Sequence, residues 1–161
     1  MMGPQAMEQS KTKNAKYHSW LFAVVNILLP LVFGAGLYLV LAPDTRIADW
    51  LAHRFLLGAL PDRSAILLQR RFWRFVRNYL CDGLWAFALE SCVALLLPWR
   101  KRFLWLSMLL SAVLSVCLEL LQAGRILRGT FDAWDIVTEI LAITMAGFNY
   151  FIWRSMYEKR N

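Results

Sequence analysis

Four long apolar stretches alternate with shorter polar ones along the chain, from about His18 to Ala42, Tyr79 to Pro98, Phe103 to Ala123 and Ala133 to Trp153. Each has the length, about 17–25 residues, that an α-helix needs to cross the hydrocarbon core of a bilayer. The segment between the first two, Pro43 to Asn78, is too long for a turn and carries helical periodicity of its own. Phe72, Phe75, Val76 and Tyr79 recur at i, i+3, i+4, i+7, while Arg70, Arg74 and Arg77 fall on another face. Pro61 and Asp62 supply a break, and Ser64 a cap for the second half. The pattern predicts two interfacial helices, at about 45–60 and 64–78, forming an amphipathic hairpin. The expected fold is all-α: an integral membrane four-helix bundle, one domain over residues 1–161, with that hairpin between spans one and two.

Composition narrows the class. Of 161 residues, 59% are apolar, 14% aromatic and 18% charged. Disorder is excluded, because a disordered chain is polar and poor in aromatics. An ordinary soluble domain of this length has too much surface to hide so much apolar area. The net charge of +7 could suit nucleic acid, but the basic residues flank apolar spans and no nucleic-acid motif accompanies them. Cys92 and Cys117 fall inside apolar runs, Cys81 lies near a span boundary, and no CxxC pair suggests zinc or redox chemistry.

The first span has a basic approach (Lys11, Lys13, Lys16) like that of a signal peptide. Its apolar core is too long and no convincing cleavage site follows, so a retained anchor is expected. Counting Lys and Arg on the two sides gives a tie, nine against nine, but all five lysines fall on the side of the N-terminus. An N-in, C-in orientation follows from that bias.

Ionisable groups in membrane helices are costly and face a bundle interior or cavity. Here they are grouped. Asp82 opens span two. Glu119 and Gln122 close span three at i, i+3, and Asp132, Asp135 and Glu139 open span four at i, i+3, i+7. In a four-span bundle these positions share one membrane side, the outer leaflet in the N-in orientation. Plainer roles are available for several of them. Asp82, Asp132 and Asp135 could cap helix N-termini, and Glu119 could be locked by Arg125 or Arg128 in the link that follows. Glu139 lies too deep for a cap. Glu90, mid-span, reads as neutral or hydrogen-bonded within the bundle, as do Asn26 and Asn149. His18 reads as interfacial, and His53, four residues after Asp49, as an interfacial contact or a proton-transfer group.

Two stretches, RNYLCDGLWAFAL (Arg77 to Leu89) and ELLQAGRILRGTFDAWDIVTEILA (Glu119 to Ala142), resemble the VanZ-like family of small bacterial membrane proteins. In that family a span ends in E-x-x-Q, a short link with Arg or Gly follows, and the next span opens with D-x-x-D. Glu119, Gln122, Asp132 and Asp135 take those places, and Asp82 matches the acid after an Asn-Tyr-Leu run. The chain departs from the pattern in having Glu139 where Asn is common and a longer link. The resemblance implies a four-span protein of the bacterial cell membrane, linked in some members to teicoplanin resistance. It also implies similarity to membrane enzymes acting on lipid headgroups and lipid-linked carriers.

Two functions remain in competition. In the first, an enzyme acts at the outer leaflet on a phospholipid or polyprenyl-linked envelope intermediate, as a hydrolase or transferase. Its reacting groups come from Asp82, Glu119, Gln122, Asp132, Asp135 and Glu139, with Asp135 or Glu119 as general base. Arg125 or Arg128, with Arg74 and Arg77 at the rim, meets the phosphate. Clustered carboxylates are also hard oxygen ligands of the kind a divalent cation uses. In the second, a non-catalytic protein binds or shields an envelope precursor or a partner protein, and its acids are structural. A transporter is weaker, because the acids gather near one face and no inverted repeat is visible.

Overall fold

The computed structural model describes residues 17–41, 71–98, 100–127 and 132–158, and every element among them is helical. Four helices are long and apolar enough to cross a membrane: Tyr17–Tyr38, Asn78–Leu96, Arg102–Ala123 and Ala133–Met156. We call the first α1 and name the others by their α-helical bounds: α2 Cys81–Leu96, α3 Lys101–Ala123 and α4 Ala133–Glu158. The four sequence-predicted spans match these within a few residues. Most of the expected interfacial hairpin, including Asp49, His53 and Ser64, lies outside the described residues.

Local chemistry sets the helix ends. Pro98 forces Leu97 into an extended conformation (φ −86°, ψ 149°) and stops α2. The Arg100 carbonyl then accepts from the backbone N–H groups of Phe103 and Leu104 to start α3. That helix closes in a Schellman motif. The Arg125 N–H donates to the Gln122 carbonyl and the Ile126 N–H to the Leu121 carbonyl. The left-handed residue of the motif is Arg125, at φ 57°, not the neighbouring Gly124, which stays right-handed at φ −74°.

The second span begins differently from expectation. A helical stretch, Arg71–Phe75, continues through a π-helical turn, Val76–Leu80, directly into α2. Leu80 and Cys81 both keep helical dihedrals. Asp82 therefore sits inside a continuous helical path and caps nothing. No break in the helix marks the expected start of the span at residues 78–79; the π-helical turn carries the chain through it. No Gly or Pro lies between Arg71 and Asp82 to make one.

The packing is inverted relative to a water-soluble bundle. The buried positions are mostly small or polar: Ala86, Ala88, Ala94, Ala146, Ser91, Ser107, Ser111 and Ser115. Large apolar side chains such as Phe33, Leu109, Leu141 and Phe148 face outward. A hydrocarbon solvent gives no reward for hiding Leu or Phe, so helices meet through small residues that let backbones approach. Gly83 and Gly147 mark the closest approaches. A Cβ on Gly83 would lie 3.3 Å from Thr138 Cγ2, and one on Gly147 2.8 Å from Met108 Sδ. α4 packs most extensively on α2, α3 packs on both, and α1 lies against α2.

The two ends of the bundle are chemically distinct. At one end Phe22, Ala94 and Tyr150 form a buried cluster with Leu95, Leu104 and Trp153. The Phe22 ring meets those of Tyr150 and Trp153 edge-on, with centroids 5.2 and 5.6 Å apart. Beside it the Asn149 amide donates to Asn26 Oδ1 at 2.7 Å, tying α4 to the π-helical turn Val24–Leu28 of α1. The carboxylates occupy the opposite end.

Candidate functional site

α2, α3 and α4 bring the acidic residues together at that end, as their spacing predicts. Glu119, Asp135 and Glu139 are all buried. Asp82 is half-buried and within electrostatic reach of all three. In each of the buried three, one carboxyl oxygen has no hydrogen-bond partner: Glu119 Oε2, Asp135 Oδ1 and Glu139 Oε2. Such atoms are uncommon, since burying an unsatisfied polar group costs about 1–3 kcal/mol. Three at one end of a helix bundle form a set of acceptors waiting for donors.

Asp132 has a different place. Its Oδ1 accepts from the Trp134 backbone N–H at 3.0 Å, an N-cap for α4. Its Oδ2 accepts from the Tyr79 hydroxyl at 3.1 Å. Both oxygens are thus engaged in holding the start of α4 against the π-helical turn before α2. The Asp132 backbone N–H is directed at the Glu119 carboxylate, so this residue also orients its neighbour. The capping role expected for Asp132 is present. Asp135, one turn deeper, keeps an oxygen unpartnered and is not used up as a cap.

The basic residues are less involved. Arg125 is exposed at the strained end of α3, while Glu119 Oε2 is without a partner. A Glu119–Arg125 lock is therefore not formed at that oxygen. Arg128 lies outside the described residues, as do the side chains of Arg74 and Arg77, whose backbone belongs to the helical path before α2. Gln122 is half-buried one turn beyond Glu119. Among the described residues no group of three or more His, Cys, Asp or Glu side chains is spaced to hold a metal ion.

Two features were not legible as site chemistry in the sequence. Tyr79 reads there as one more apolar-face aromatic. It lines an apolar groove of about 330 Å³ between α2 and α4, with Phe75, Gly83, Phe87, Ala142 and Met145. The groove lies between the two helices and takes in the tyrosine that bonds Asp132. The second feature is a seam of serines on α3. Ser107, Ser111 and Ser115 repeat at i, i+4, i+8, and the next step of four is Glu119. That spacing places all of them in one row, and all are buried. Ser115 lies against Glu139.

No protein-family model, curated protein or solved structure matches the chain, so its assignment rests on the site itself.

Proposed function

We propose that the chain is a VanZ-like, multi-pass membrane enzyme with both termini in the cytoplasm. Its substrate is a phospholipid or polyprenyl-linked envelope intermediate in the outer leaflet. The observation that carries this reading is the set of unpartnered buried oxygens on Glu119, Asp135 and Glu139. A headgroup that brings hydroxyl or ammonium donors to that end of the bundle satisfies them, and a lipid chain fits the apolar groove that Tyr79 lines.

In this reading Asp135 or Glu119 takes the proton of an attacking hydroxyl or water, and a second carboxyl returns a proton to the departing alcohol. Asp132 and Tyr79 are positioning residues that fix the start of α4. Arg125, on the link beside the site, meets phosphate from the solvent side. The resemblance of the Glu119–Ala142 stretch to the VanZ-like pattern supports the same assignment, because its two motif halves meet in space.

The test is a mass-spectrometric profile of envelope lipids and lipid-linked precursors. Cells expressing wild type, Asp135→Asn or Glu119→Gln at matched membrane abundance are compared. A species changed by wild type and by neither variant supports catalysis and identifies the substrate class. Identical profiles in all strains overturn the enzyme reading in favour of a binding or shielding role.

A further inference from the structure

Glu90 is fully buried in the middle of α2, about 12 Å along the helix from Asp82. The acid–base chemistry proposed above makes no use of it. Its two oxygens are each paired: Ser107 Oγ lies 2.7 Å from Oε1, and Ser111 Oγ 2.8 Å from Oε2. Both serines are buried as well. Ser107 Oγ has a second partner, the Leu104 carbonyl, at 2.8 Å.

Counting protons decides how these contacts are made. A serine hydroxyl has one hydrogen to donate. A carbonyl oxygen has none, so the Ser107 hydrogen goes to Leu104 if that contact is a hydrogen bond. The short contact between Ser107 Oγ and Glu90 Oε1 then needs its hydrogen from Glu90. One arrangement satisfies all three contacts: Glu90 Oε1–H donates to Ser107 Oγ, Ser107 donates to the Leu104 carbonyl, and Ser111 donates to Glu90 Oε2. No charged side chain acts on Glu90 from α1, α3 or α4 among the described residues; the two serines are what face it.

We propose that Glu90 is a proton-binding site at the bottom of a polar file, Glu139–Ser115–Ser111–Glu90, which exchanges protons with the carboxylate end of the bundle. A second observation connects the two regions. Ser115 Oγ is 1% exposed and has no hydrogen-bond partner, and it lies between Glu139 and the Ser111–Glu90 pair in the α3 row. One helical turn, about 6 Å, separates Ser115 from Ser111, a step that one bridging water spans. Beyond Glu90 lies the Phe22, Ala94 and Tyr150 cluster, which adds no carboxyl to the file.

The transfer balances simply. The Glu90 carboxyl turns over so that its proton sits on Oε2, and Ser111 turns its hydrogen toward Ser115; Oε2–H then passes its proton to Ser111 Oγ as Ser111 passes its own to the bridging water, the water passes one to Ser115 and Ser115 one to Glu139, while Ser107 turns its hydrogen from Leu104 to Oε1. Glu139 ends protonated. The proton is held in reserve there, outside the acid–base exchange proposed for the lipid, and the site stands independently of the lipid reading.

The experiment is infrared spectroscopy of the full chain in phospholipid bilayers at neutral pH, read at the carbonyl stretch of protonated carboxylic acids. Wild type minus Glu90→Gln is expected to show one such band. Ser111→Ala should move that band to higher frequency, because Oε2 loses its donor. Transferred to heavy water, Ser115→Ala should slow the hydrogen–deuterium shift of the band about tenfold, because the file loses the hydroxyl that would bond the proton in transit between Ser111 and Glu139. Absence of the band from the wild type, or its survival in Glu90→Gln, overturns the protonated site. A band that Ser111→Ala leaves unmoved overturns its assignment even if Glu90→Gln does not fold. Exchange as fast in Ser115→Ala as in wild type overturns the file.

Discussion

Glu90 and the Glu119–Asp135–Glu139 group are buried carboxyls in the same bundle, yet they are treated oppositely. Glu90 has a hydroxyl for each oxygen. Each member of the other group has an oxygen without a partner. Packing does not explain the difference, since α3 contributes serines beside both regions and both are buried. A protein gains from satisfying a buried polar group and loses by leaving one unsatisfied. Where it satisfies one carboxyl fully and leaves three open at one end, the open ones are candidates for chemistry and the closed one for holding a proton or a helix in place. Stability and activity should therefore respond in opposite ways to changes at the two places.

The largest effect is expected at the open group. Asp135→Asn keeps shape and removes the base. Conversion of the lipid substrate should fall about 100-fold or more, while thermal unfolding in detergent occurs at or above the wild-type temperature because like charges have been removed. A fall in unfolding temperature matching that of a packing mutant would place Asp135 among the structural acids and erase the contrast with Glu90.

Next in size is a change that leaves every acid intact and moves the helices that carry them. Gly83 lets α2 approach Thr138 of α4. Gly83→Leu should destabilise the bundle by about 1–3 kcal/mol, the usual range for overpacking. It should also lower activity, because Asp82 and Asp135 lie on the two helices it separates. Activity at the wild-type level in a correctly inserted Gly83→Leu protein would show that the site does not need that helix contact.

The sequence was informative about these features to different degrees. The four spans follow from length and apolarity, which a bilayer enforces over some twenty residues at a time. The gathering of Glu119, Asp135 and Glu139 follows from helical spacing and antiparallel topology. Local continuations were harder. Whether Asp82 caps a helix or lies inside one depends on the π-helical turn Val76–Leu80, and no residue type announces such a turn. The end of α3 was misleading in a different way. Gly124 is the natural choice for the left-handed position, yet Arg125 takes it. The serine row on α3 was legible as spacing, and it lacked meaning until Glu90 was seen to face it.

That left-handed arginine gives the third prediction. A non-glycine residue in this conformation costs about 1–2 kcal/mol, and strain of this kind is kept where it serves a site. Arg125→Gly should raise stability by roughly 1 kcal/mol, read from denaturant unfolding. If Arg125 meets phosphate, the same variant binds or converts the lipid less well. A gain in stability with no loss of activity would remove Arg125 from the site and leave phosphate contact to other basic residues.

The smallest effects separate the two kinds of hydrogen bond that hold the polar groups. Ser111→Ala removes one donor from Glu90, and Tyr79→Phe removes one from Asp132. Hydrogen bonds between membrane helices average about 0.6 kcal/mol by double-mutant cycle, with a maximum near 1.7. Both variants should lose stability within that range, and Ser111→Ala more, since its partner is buried deeper. Lipid conversion should distinguish them. The Asp132 cap on Trp134 survives in Tyr79→Phe, so α4 still starts at the same residue. Its first turn is no longer fixed to the turn before α2, however, and the Glu119 and Asp135 oxygens lose their alignment. Activity should fall several-fold in Tyr79→Phe and stay near wild type in Ser111→Ala. If the two variants lower activity equally, Glu90 belongs to the reacting group and the division between closed and open carboxyls fails. If neither lowers it, the Tyr79–Asp132 bond contributes to stability alone and the open oxygens are aligned by helix packing.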